Sequence, residues 1–94
     1  MDEQDKQKIV GWCDGFTQKG HEYKTMAENP VFKDIFGIQN PKEYALGMIL
    51  GSYIQHFDEY FKVKYDREMD EDERAFLIAV FTQLAPKIID SLFK

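Results

Sequence analysis

Residues Asn40 to Lys64 read NPKEYALGMILGSYIQHFDEYFKVK, and the reading of this stretch decides the fold. Asn40 suits an N-cap, Pro41 the first helical position, and Glu43 falls three residues after the cap, as a capping box requires. Behind this start Leu46, Leu50, Tyr53, Phe57, Tyr60 and Phe61 recur at spacings of three and four, which draws one stripe down a helix. Ile49 and Ile54 flank the stripe. Between Tyr44 and Ile54 the segment is apolar nearly all round, with Tyr44 and Met48 off the stripe beside Gly47 and Gly51. A helix that is hydrophobic on more than one face is buried on more than one face. The expectation is a helix from Pro41 to about Lys64.

Working outward, a second Asn-Pro pair opens NPVFKDIFG. Asn29 caps, Pro30 starts and Gly37 stops a short helix whose apolar side is Val31, Phe32, Ile35 and Phe36. Upstream, Ile9, Cys13, Phe16, Gly20, Tyr23 and Ala27 alternate at four and three, with Trp12 and Met26 widening the stripe. This predicts a first long helix over about 4–28, weakened by Gly11, Gly15 and Gly20 at up to ~1 kcal/mol each. Downstream, Asp70 with Glu73 forms another cap-like pair, and acids fill the first turn where the helix dipole favours them. The last helix is expected over about 71–93 on a stripe of Leu77, Phe81, Leu84, Ala85, Ile88 and Leu92. Phe76, Ala79 and Val80 are left over on its other side, and Pro86 is expected to kink it.

No segment shows sustained strand-like alternation. Short connections make sequential helices antiparallel. The fold expected is all-α: one helical domain over residues 1–94, an antiparallel three-helix bundle with an additional short helix between the first and second long helices.

Composition narrows the function classes. Of 94 residues 44% are hydrophobic and 15% aromatic, which belongs to a folded chain. The single cysteine, Cys13, allows no internal disulfide, and its place on an apolar stripe reads as a buried thiol. The polar start MDEQDKQKI shows no signal peptide, and the longest nearly uncharged run, Tyr44 to Phe57, falls short of the ~20 residues that span a bilayer. A soluble, cytoplasmic protein is expected. The net charge of −5 is confined to one segment. Asp58, Glu59, Asp66, Glu68, Asp70, Glu71, Asp72 and Glu73 stand there against Lys62, Lys64 and Arg67, while the remainder is neutral. Without a basic face, neither a nucleic-acid partner nor an anionic membrane is expected.

Candidate chemistry is thin. His56 and Glu59 are three apart and share a helix face, but carboxylate-bridged metal bundles use the reverse order, Glu-x-x-His, on two helices. The pair is a weak metal candidate, and His56 reads as a boundary residue. The run DREMDEDE begins like a calcium loop, then has Glu71 where the turn glycine belongs and Leu77 where the bidentate glutamate belongs. Capping and solvation account for it better. No phosphate loop, zinc-spaced Cys/His set or serine nucleophile elbow is present. The Gly11/Gly15 and Gly47/Gly51 pairs read as close helix crossings inside the bundle.

The surplus apolar residues Tyr44, Met48, Phe76 and Val80 are the best functional clue, because contiguous exposed apolar patches are interaction sites. The leading expectation is a non-catalytic protein-interaction or regulatory module. It is expected to form a homodimer, with the acidic patch Asp66, Glu68, Asp70, Glu71, Asp72 and Glu73 free to dock a basic protein. The alternative is a bundle enclosing a small apolar ligand or a metal ion near His56. An ordinary enzyme ranks behind both, and no cofactor is expected.

Overall fold

The structure, a computed structural model, describes residues 1–12 and 21–93. Among the described residues it is all-helical: α1 (Glu3–Trp12), α2 (His21–Glu28), α3 (Pro30–Phe36), α4 (Pro41–Tyr65) and α5 (Glu71–Leu92). The expectations for Cys13, Gly15, Phe16 and Gly20 lie outside the described residues. α1 and α2 occupy the two ends of the stretch expected to form the first long helix.

The helix ends follow the cap residues. Asn29 accepts from the Val31 and Phe32 backbone N–H groups, and Gly37 ends α3 in the left-handed region at φ 63°. Asn40 accepts from the N–H groups of Lys42 and Glu43. At the start of α5 both halves of a capping box form: Asp70 accepts from the Glu73 N–H at 2.9 Å, and Glu73 accepts from the Asp70 N–H at 3.0 Å. α4 runs one residue past the expected Lys64. It is closed by Asp66, whose φ of 58° is left-handed and whose N–H reaches the Lys62 carbonyl at 3.0 Å. A short polar side chain tolerates that conformation better than most.

The core lies between α4 and α5, with α2 packed along α4 and α1 against α5. On α5 the expected stripe holds: Leu77, Phe81, Ile88 and Leu92 are buried, and Leu84 and Ala85 are half-buried against them. On α4 the stripe is rotated from the expected one. Ala45, Ile49, Tyr53, Phe57 and Phe61 are the buried set, spaced by four throughout, while Leu46, Leu50 and Tyr60 lie half-buried at its edge. Packing on both sides of α4 draws the deepest line through Ile49. Pro86 is exposed, and α5 continues through it to Leu92.

Two further differences bear on function. At Gly11, Gly47 and Gly51 an added Cβ would meet no atom within 4 Å, so among the described residues no neighbouring element approaches these glycines closely. The close-crossing reading of Gly47/Gly51 is thereby corrected. Among the described helices α5 is long and apolar enough to cross a membrane, by length and composition only.

α1 contributes little apolar surface. Its buried residues are Ile9 and Asp5. Burying Ile9 stabilises the fold by about 2 kcal/mol, and a half-buried Trp12 adds its ring. The remainder of α1 is attached through polar atoms.

Candidate functional site

Counting back one turn from Ile9 on the apolar face of α1 arrives at Asp5, a carboxylate with no exposed surface. A bare carboxylate there would cost several kcal/mol, so its partners decide whether α1 can dock. All of them come from the C-terminal turns of α4 or from α1's own start. Tyr60 donates its hydroxyl to Asp5 Oδ1 at 2.8 Å, and Lys64 Nζ reaches the same oxygen at 2.7 Å. The Tyr65 hydroxyl donates to Oδ2, and the Asp2 N–H lies 3.3 Å from it. Asp2 in turn accepts from the Asp5 N–H at 2.8 Å and from Lys64 at 2.9 Å. Tyr60 and Lys64 are one turn apart on one face of α4, and Tyr65, the next residue, reaches the other carboxylate oxygen from the helix end.

The electrostatics follow from these partners. Burial pushes the Asp5 carboxyl up, but Lys64, Tyr65, Tyr60 and the Asp2 N–H together outweigh it and hold it well below the usual carboxylate range. Its carboxylate raises Lys64 and keeps the Tyr65 phenol protonated beyond its ordinary range. General acid–base catalysis needs groups poised near the working pH. Here each shift leads away from neutrality, and the carboxylate is closed to solvent. The arrangement is a latch between two helices.

Towards the other end of α1 the attachment becomes aromatic. Trp12 stacks on Tyr53 with ring centroids 4.5 Å apart and planes 5° from parallel, and it meets the edge of Phe57 at 6.3 Å. The Tyr53 hydroxyl donates to the Ile9 carbonyl. His56 stacks on Trp12 with ring centroids 5.5 Å apart and is itself exposed.

No family model, curated protein or solved structure matches the chain. The geometry therefore stands alone.

The expected site residues fall in three places. Glu59 is exposed and lines an open groove on α4 with Gly51, Ile54, Gln55, Asp58, Lys62 and Glu68. Among the described residues no three His, Cys, Asp or Glu side chains are grouped so as to hold a metal ion, and His56 faces Trp12 and Phe57. Phe76 and Val80 are half-buried against the core, Met48 is half-buried, and Tyr44 stacks on Phe36 at 6.5 Å.

Within the acidic segment the charges are unevenly free. Glu73 is buried, and Arg67 clamps it through both oxygens at 2.6 and 3.1 Å. This pairing lowers the Glu73 pKa against the opposing effect of burial. Arg74, one residue beyond the acidic run, grips Asp58 at 3.1 and 3.2 Å and reaches Glu68 at 3.4 Å. Asp70 is engaged as the cap of α5, and Asp66, Glu71 and Asp72 remain exposed.

The most exposed apolar side chains that cluster are on α3. Val31, Ile35 and Phe36 are 63%, 68% and 57% exposed, and α3 buries none of its residues. Phe32 stacks on Phe36 at 5.7 Å, and Phe36 on Tyr44, so the patch continues onto the first turn of α4. The composition of α3 was legible in the sequence; its exposure was not, because the pattern alone read as a core-facing helix end. The latch was missed for a different reason. An aspartate on an apolar stripe was read as the polar start of a helix, although the four-residue step back from Ile9 pointed to it.

Proposed function

We propose that this chain is a non-catalytic protein-interaction module that pairs with a second copy of itself through α3 and the first turn of α4. The observation that carries the reading is the exposure of Val31, Ile35 and Phe36 on a short helix that buries nothing of its own. Exposed apolar groups that adjoin one another mark interaction sites on small domains. The patch is bordered by Lys33, Asp34, Lys42 and Glu43, two charges of each sign. A neutral border lets two copies approach without repulsion, although the chain carries −5 overall.

The finer features of the reading are an antiparallel arrangement of the long helices, a cytoplasmic setting, and a basic protein docking at the acidic end. For the last, Asp66, Glu71 and Asp72 are the acids left for a partner, because Arg67 and Arg74 already engage Glu73, Asp58 and Glu68. That weakens the acidic end as a docking surface relative to α3.

Light scattering at tens of micromolar tests the pairing. A dimer mass is expected for the natural sequence and a monomer mass for Ile35→Asp with unchanged helical circular dichroism. A monomer at every accessible concentration in the natural chain overturns self-association.

A further inference from the structure

We draw no further inference here: the strongest candidate, the exposed, uncharged face of α5 formed by Ala75, Ile78, Ala79, Thr82, Gln83 and Pro86, is an unpartnered helix face, and nothing in the structure shows what covers it.

Discussion

Lys64 Nζ lies 2.7 Å from Asp5 Oδ1, so a charge at the last turns of α4 is matched to a carboxylate that has no exposed surface on α1. Two residues 59 positions apart thereby fix where the first helix sits on the fourth. An apolar anchor such as Ile9 tolerates some sliding; a carboxylate with donors on both oxygens does not.

Replacing Asp5 is the direct measure of this relationship. Asp5→Ala leaves the Tyr60 and Tyr65 hydroxyls without their acceptor and is expected to cost about 2–3 kcal/mol in urea unfolding. Asp5→Asn retains the shape and some of the bonds and is expected to cost less. Equal stability of all three proteins would show that the latch adds nothing to the fold.

The same carboxylate sets a pH dependence. Its folded pKa is depressed, so its stabilisation is complete above the unfolded value of ~3.9 and is lost as pH falls below that towards the folded value. Glu73, lowered by Arg67, acts in the same direction. The natural chain is therefore expected to lose stability steeply below about pH 4, and Asp5→Asn more shallowly. Thermal unfolding in steps from pH 6 to pH 2 compares the two slopes.

Two glycines are expected to respond with opposite sign. Gly37 closes α3 at φ 63°, where an added side chain is strained, so Gly37→Ala is expected to cost about 1 kcal/mol. Gly47 lies inside α4, with open space where a Cβ would be, so Gly47→Ala is expected to gain up to ~1 kcal/mol. At this chain length the gain appears as a rise in Tm of roughly 4–8 °C per kcal/mol. A lower Tm for Gly47→Ala would mean that something does pack there.

The capping box of α5 gives a local prediction. Asp70→Ala removes the acceptor for the Glu73 N–H and is expected to cost ~1 kcal/mol. Glu73→Ala also strips Arg67 of a two-point partner beside the core and is expected to cost more. Urea midpoints of the two single variants give the order, and the reverse order would show that the buried pair is the lesser contribution.

Much of the fold was legible because helix ends are local chemistry. Asn29, Gly37, Asn40 and Asp70 act within three or four residues of themselves, and each is found at its expected boundary. The α5 stripe was legible too, since one face of that helix carries the core. The α4 stripe was less so: a helix apolar on several sides offers several candidate lines, and only its neighbours choose Ile49 over Leu46 and Leu50. The latch joins residues that sequence spacing never relates. Arg74 shows the same limit on a smaller scale. It stands one position outside the acidic run and yet neutralises Asp58 within it.

Trp12 is the chain's one tryptophan, and it lies flat on Tyr53 at the junction of α1 and α4. The indole is therefore a built-in optical gauge of whether the first helix is seated. With no label attached, emission shifts to longer wavelength when α1 lifts into water, even while circular dichroism still records intact α4 and α5.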